Sequence, residues 1–347
     1  MKILLLGGRG YFGNEITKAI SRNPANDVWI GSHSVIGKNI IPIQWSNTDF
    51  LQKIVSFDVI INAAPIPSDE QYLTCIRSIL SSNRVFIETT ADPVDIARLL
   101  AWQEMPEWSA LNSSPTGGLF IHSAGIFPGL SNLFYKHFLE RRLDITHLRL
   151  GIRYKILSGA GRAMCHLMAS TILEPSLWIE NNEERMGPPI GSGYWMEWQG
   201  ERAKGFRAFL PDLLYIRKFY NIPNIETFLS VKPRWISWTS SCFNWMPRTK
   251  WSQVMLERWF YLIRGRAFKK TRTDLCMSLR LNEGSFHTLS VNDAFSAAGF
   301  FVAACVECLK TKRIKTGFQS INSCFNLEDI LTQMNVISGK ELIIILQ

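Results

Sequence analysis

Apolar residues 3–6 form an unbroken run that ends in glycine, and residues 14–21 then place Ile16 and Ile20 on one face at helical spacing. A continuous apolar run of this length reads as a parallel strand buried on both faces. The same alternation recurs about every 25 residues. Runs 27–31, 40–44, 58–62, 85–88 and 120–123 read as strands, and 48–55, 71–83, 93–103 and 133–142 as helices. Strand and helix in regular alternation predict a doubly wound parallel sheet. Beyond residue 146 the pattern changes. A strand over 147–157, a turn Ser158-Gly159-Ala160-Gly161 and a helix over 162–172 precede alternating stretches at 226–231, 274–281 and 285–291, which read as antiparallel strands. Residues 175–220, rich in Gly, Pro and aromatics, show no clear pattern, and within them Gly187-Pro188-Pro189 and Gly191-Ser192-Gly193 read as loops.

The first strand runs directly into Gly7-Gly8-Arg9-Gly10-Tyr11-Phe12-Gly13. Strand, GxGxxG and helix in that order make a dinucleotide-binding fingerprint. Gly8 is expected at the tight turn, Gly10 where backbone approaches a pyrophosphate, and Gly13 where helix packs on strand. Arg9, Tyr11 and Phe12 complete the loop. The anion would sit on the helix N-terminus, where N–H groups and the helix dipole favour it. The strand over 27–31 ends in Gly31-Ser32-His33, without the acid that accepts the ribose hydroxyls of NAD. Ser32 and His33, with charge from Arg9 and Lys38, suit a 2′-phosphate and so favour NADPH. Ala63, Ala64 and Pro65 follow the strand DVIIN and leave room beside the nicotinamide end. Glu88, ending the strand VFIE, is placed to orient substrate or ribose.

These pieces together resemble the saccharopine dehydrogenase-like family of NAD(P)-dependent oxidoreductases. The matching segments are LLLGGRGYFG, VIINAAP, the helix containing Cys75 followed by RVFIETT, and above all AGIFPGLSN at 124–132. Weaker agreement continues to NDAFSAAGFFVAACVECLK and Gly317. The resemblance implies a Rossmann-type doubly wound parallel sheet over 1–130, an inserted α+β substrate and dimerisation domain over 131–291, and a return of 292–347 to the first domain. It also implies a homodimer. Saccharopine-forming relatives carry an acid in the glycine-proline turn where Phe127 stands, and an Asp near Glu88. The loss of a fixed counter-charge argues for a less polar substrate than saccharopine.

For proton transfer to a reduced C=O, C=N or C=C bond the sequence offers His122 at a strand end, Tyr154 on the central strand, and Arg162 and His166 on the helix after the SGAG turn. No HExxH motif or paired Cys/His cluster points to a metal, and Cys305 with Cys308 fall inside a helical pattern. Gly191-Ser192-Gly193 lacks the spacing of a serine-hydrolase elbow. Eight of the twelve Trp residues lie between 178 and 259, as core and interface aromatics or as the lining of an apolar pocket.

The formal charge of +9 sharpens the picture only when located. Residues 248–272 hold eight basic side chains and one acid, Glu257, leaving +2 for the rest of the chain. Within that segment Trp251, Val254, Met255, Trp259, Leu262 and Ile263 recur at helical spacing. A cationic, Trp-bearing amphipathic helix suits an anionic membrane surface or an acidic carrier protein. No nucleic-acid-binding motif accompanies the charge, so nucleic acid is not the expected partner. The N-terminus lacks the core and cleavage site of a secretory signal, and the apolar stretch 294–309 falls short of the ~20 residues of a membrane span. A cytoplasmic protein, peripheral to a membrane at most, is expected, with a small-molecule substrate. A second reading is a cofactor-binding partner subunit without turnover.

Overall fold

The computed structural model describes all residues except 34–36, 38, 109–116, 143, 156–161, 233–243, 268–273, 340–342 and 347, together with the side chains at 48, 155, 162–164, 264–267 and 343–346. Two compact units divide the chain: Met1–Leu133 with Ser296–Lys340, and Phe134–Phe295 with Glu341–Gln347.

The first unit is built on β1 (Lys2–Leu6), β2 (Asp27–Ser32), β3 (Ile40–Pro42), β4 (Val59–Asn62), β5 (Val85–Glu88), β6 (Leu119–His122) and the late strand β15 (Gly317–Ser320). All pairings are parallel, in the spatial order β15-β6-β5-β4-β1-β2-β3. The chain therefore runs outward from β1 to β3, returns, and resumes at β4 on the other side of β1. That reversal creates a crevice at the carboxyl ends of β1 and β4, where doubly wound sheets bind ligands. Helices α1 (Tyr11–Ile20), α2 (Thr48–Ile54), α3 (Asp69–Leu80) and α4 (Pro93–Gln103) connect the strands. Residues Ile3 to Leu6 are wholly buried, as burial on both sheet faces demands. One face packs an aromatic core in which Phe86 stacks on Phe120 at 5.1 Å and Phe120 meets Phe318 at 4.6 Å. Burial of each such ring contributes about 1.5–3 kcal/mol.

Helix α5 (Leu130–Leu139) leads into the second unit. Its sheet holds β7 (His147–Lys155), β8 (Ser176–Glu180), β9 (Glu183–Gly187), β10 (Gly193–Trp198), β11 (Glu201–Arg207), β12 (Asn224–Lys232), β13 (Leu275–Leu281), β14 (Phe286–Val291) and β16 (Ile343–Leu346). The main path is β10-β11-β12-β7-β13-β14-β16, with β8 pairing β12 and β9. Helices α6 (Arg162–Leu173) and α8 (Lys250–Ala267) pack together through Cys165, Met168, Ala169, Ile172, Leu256 and Phe260, while α7 (Asp212–Phe219) precedes β12.

Residues 175–220, which carry no clear sequence pattern, form two hairpins and a helix, because Asn181-Asn182 and Gln199-Gly200 adopt paired positive φ angles (53°, 67°; 57°, 76°) that turn the chain back on itself. Two expectations are corrected. β12 runs parallel to β7, since the long connection through β8–β11 and α7 lets it return in the same direction. The C-terminus does not return as a whole to the first unit: β16 pairs antiparallel with β14 in the second sheet. The turn at 158–161, Trp235, Trp238 and Lys38 lie outside the described residues.

Helix α9 (Ala294–Thr311) is long and apolar enough to cross a membrane by length and composition. Here it is a core helix. A Cβ at Gly299 would stand 2.6 Å from the Glu15 carbonyl oxygen, so α9 packs against the backbone of α1, with Phe301, Val302, Cys305 and Val306 fully buried. Burial holds the Cys305 thiol well above its ordinary range and raises that of Cys308. Two short helices, α10 (Ile321–Cys324) and α11 (Leu327–Ser338), follow β15.

Candidate active site

The crevice is framed by the chain leaving β1, β4, β5 and β6. After β1 the amide of Gly7 donates to the Gly31 carbonyl (3.0 Å) and that of Gly10 to the Gly7 carbonyl (2.9 Å). The tight turn is at Gly7, with φ +76°, and not at Gly8 as expected. A Cβ on Gly7 would lie 2.8 Å from the Ala63 carbonyl group, so this glycine lets the β1 and β4 exits touch. The missing side chain at Gly8 spares Ile30 (3.1 Å), and that at Gly13 lets α1 sit on the loop, since its Cβ would fall 2.2 Å from the Gly7 oxygen. A Cβ at Gly10 would meet only the Gly7 oxygen, at 3.2 Å.

Gly10 caps α1 without a side-chain hydrogen bond, and the first turn carries no acid. The result is a glycine cradle opening on an uncapped helix N-terminus, the chemistry a pyrophosphate needs. Arg9, Gly10 and Tyr11 are exposed around it, and Phe12 is half-buried. β2 ends in buried Ser32 and exposed His33, again with no carboxylate. Ala63 and Ala64 are half-buried and Pro65 exposed at the β4 exit. The residues present therefore fit a dinucleotide: the loop Gly7–Gly13 would hold its pyrophosphate, and Ser32 and His33 at the β2 end would meet its adenosine ribose.

Glu88 stands differently from expectation. It is fully buried, so it holds the walls of the crevice instead of reaching a ligand. One carboxylate oxygen accepts from Asn62 Nδ2 (2.8 Å) and from the Tyr72 hydroxyl, and the other from the Thr90 amide (2.9 Å). Asn62 in turn accepts the Ala64 amide at Oδ1 (3.2 Å), and its backbone carbonyl accepts the Thr89 hydroxyl (2.7 Å). The Glu88 carbonyl accepts the Ala124 amide (2.9 Å), tying in the next loop. Burial pushes the Glu88 carboxyl up to about 7, partly opposed by its three donors, and burial beside Glu88 also raises Tyr72.

The AGIFPGLSN segment makes a compact turn after β6. The Gly125 amide donates to the Pro128 carbonyl (3.1 Å), and the Leu130 and Ser131 amides to the Gly125 and Ile126 carbonyls (both 3.0 Å). Gly129 adopts φ +139°, and a Cβ there would strike the Gly125 oxygen at 2.0 Å. Phe127 is half-buried in this turn. Asn132, fully buried, has neither end of its amide hydrogen-bonded among the described residues. An unsatisfied buried amide is costly, at about 1–3 kcal/mol, and such groups persist where a ligand or a water satisfies them.

Of the four candidates for proton transfer, His122 lies in the first unit and Tyr154, Arg162 and His166 in the second. His122, in the first unit, is fully buried, with Nδ1 near Ser123 Oγ (3.3 Å), Nε2 near Gln103 Oε1 (3.4 Å) and its ring beside Phe318. It is a packed strand-end histidine. The others belong to the second unit. Tyr154 packs against the α6–α8 cluster, and burial raises its hydroxyl, which keeps its proton. His166 bonds Glu257 on α8 (2.9 Å) and so links two helices. Arg162 begins α6, but its side chain is outside the described residues. Of the six described Trp residues between 178 and 259, only Trp198 is buried, so these rings do not converge on one pocket. Asn62, Tyr72 and Asn132 were not among the sequence candidates. Asn62 carried a signal, a polar end to an apolar strand, whereas Tyr72 looks like any aromatic of an amphipathic helix.

Comparison with solved structures agrees with this architecture. Saccharopine dehydrogenase (L-Glu forming) from Saccharomyces cerevisiae overlays with a TM-score of 0.64, covering 100% of both chains at 10% identity. The fold is similar from end to end. A diaminopimelate (DAP) dehydrogenase from C. glutamicum covers 96% of this chain and 98% of its own, at 10% identity and a TM-score of 0.46. An engineered D-amino acid dehydrogenase bound to NADP+ overlays at 0.44 with 11% identity, covering 96% of this chain and 98% of its own. At this identity the saccharopine dehydrogenase overlay speaks for the fold, and the two looser ones add nothing to it. No protein-family model and no curated protein sequence matches the chain.

Proposed function

We propose that this protein is an oxidoreductase that binds NADPH and reduces a C=N, C=O or C=C bond of a substrate less polar than saccharopine. The observation that carries the reading is the glycine cradle at the reversal between β1 and β4, opening on the uncapped N-terminus of α1. The cofactor, when bound, supplies the hydride. The chain's own contribution is binding and positioning. Amides of the Gly7–Gly13 loop meet the pyrophosphate, and the Asn62–Glu88–Tyr72 network fixes the β4 and β5 exits.

Preference for NADPH rests on the β2 end, where Ser32 and His33 replace the acid that would accept ribose hydroxyls and repel a phosphate, with Arg9 exposed on the neighbouring loop. The apolar substrate rests on Phe127, which stands in the turn where the saccharopine-forming pattern carries an acid. Substrate carboxylates and amines need counter-charges fixed in place, and an aromatic ring offers an apolar contact instead.

Titration of NADPH and NADH by quenching of tryptophan fluorescence tests the reading. NADPH is expected to bind at least tenfold more tightly, and Gly10→Asp to abolish binding, because a carboxylate at the cradle repels the pyrophosphate. Equal affinity for both cofactors would remove the 2′-phosphate assignment, and no binding would remove the cofactor. Turnover is checked by loss of NADPH absorbance on a panel of apolar imines, ketones and enones. Binding without turnover across the panel would favour a cofactor-binding partner subunit.

A further inference from the structure

Helix α8 has two faces of opposite character. Leu256 and Phe260 are buried against Cys165, Met168, Ala169 and Ile172. On the other side Trp251, Val254, Met255, Trp259, Tyr261 and Leu262 are all exposed, Trp251 at 73% and Leu262 at 57%. Positions 251, 255, 258 and 262 follow the i, i+4, i+7, i+11 spacing of one continuous stripe. Just upstream, Trp245 is 91% exposed although its neighbour is anchored: Asn244 accepts from the Ile190 amide (2.9 Å) and donates to the Ile190 carbonyl (2.8 Å). A soluble surface seldom presents so many large apolar side chains together without a partner.

Charge says what the partner is. The one acid among residues 248–272, Glu257, is buried and bonded to His166, away from the outward face. Lys250 precedes the apolar residues and Arg258 stands among them, both exposed, and no carboxylate pairs with either among the described residues. The outward face is therefore apolar and rich in Trp and Tyr, and its charged members among the described residues, Lys250 and Arg258, are both cationic. Trp and Tyr prefer the boundary between hydrocarbon and headgroups, where their rings are buried and their polar tips stay wet. A second copy docking by two-fold symmetry would set this positive segment against itself.

We infer that the exposed face of α8, with Trp245, is a docking surface for an anionic lipid bilayer, the helix lying in the plane of the interface. Trp251, Met255, Trp259 and Leu262 enter the boundary region, and Lys250 and Arg258 meet lipid phosphates. This inference is independent of the cofactor reading.

Sedimentation of the full chain with vesicles tests it, comparing phosphatidylcholine containing one third phosphatidylglycerol with phosphatidylcholine alone. Binding is expected to the anionic vesicles only, with a blue shift of tryptophan emission and weakening as salt rises. Lys250→Gln with Arg258→Gln removes two surface charges and is expected to weaken binding about thirtyfold. Trp251→Ala with Leu262→Ala is expected to weaken it at least tenfold. Both variants should keep the wild-type unfolding midpoint, which separates loss of docking from loss of fold. No binding to anionic vesicles, equal binding to neutral ones, or full binding by both variants would overturn the inference. So would a concentration-dependent dimer that Trp251→Ala with Leu262→Ala dissolves while vesicles fail to bind, since that assigns the face to a second copy.

Discussion

Gly7 and Gly200 share a φ of +76° but differ in surroundings, and the pair separates two physical effects. Nothing lies within 4 Å of a Cβ on Gly200, so Gly200→Ala meets only the intrinsic penalty of the left-handed region, ~1 kcal/mol. At Gly7 the same methyl would lie 2.8 Å from the Ala63 carbonyl group, and backbone has to move. Gly7→Ala is expected to cost about 2 kcal/mol or more in urea unfolding, and to weaken NADPH binding because the β1 and β4 exits separate. Equal costs at the two sites would mean the exits do not touch.

Glu88 makes a second prediction at this scale. Its carboxyl titrates near 7 in the folded protein against 4.5 for the ordinary group. Below the lower value both folded and unfolded forms hold the proton. Between the two values the unfolded form gives it up while the folded form keeps it, so stability falls as pH rises and levels off above about 7. The full loss is on the order of 3 kcal/mol. Glu88→Gln cannot ionise, and is expected to remove this part of the slope between pH 4.5 and about 8, whatever it does to stability at a single pH. Urea midpoints of both proteins across that range decide it; parallel curves would place the titration elsewhere.

At the level of elements, the first unit was legible because each of its signals is local. Four apolar residues ending in Gly7 can only be a buried strand, and Asn62 and Glu88 mark strand ends by being polar. The second unit hid its hairpins. Strand β9 is exposed over most of its length, so Glu183, Glu184 and Arg185 show no buried alternation, and only the turn pairs Asn181-Asn182 and Gln199-Gly200 announced it. The candidate site was half legible for a related reason. Glycines reveal backbone geometry from sequence, whereas the burial of His122 and the pairing of His166 with Glu257 depend on which faces meet. Helix α8 tests this at the level of packing. Leu256→Ala is expected to cost 2–5 kcal/mol as a cavity opens against α6, and Trp251→Ala on the opposite face less than about 0.5 kcal/mol. Similar costs would mean that the helix is rotated from the face described.

For the molecule as a whole, the division into two units means that each unfolding cost belongs to the unit that carries the residue, and local protection reads the two units separately. Cofactor and C-terminal strand act on different units. If NADPH binds the folded chain alone, as proposed, a hundredfold excess over its Kd is expected to stabilise by about 2.7 kcal/mol. Slowed amide exchange is expected over residues 7–14 and 62–66, where the glycine loop and the β4 exit meet the ligand. Strand β16 pairs with β14 from Val291↔Ile343 to Thr288↔Leu346, and that pairing covers an edge of the second sheet. Truncation after residue 342 leaves the β14 edge open to water and to other chains. Faster exchange is expected across 286–291, with a tendency to aggregate, while the NADPH-dependent protection of residues 7–14 persists. Loss of that protection on truncation would mean that the C-terminus serves the cofactor site, as a wholesale return of residues 292–347 to the first unit would have required.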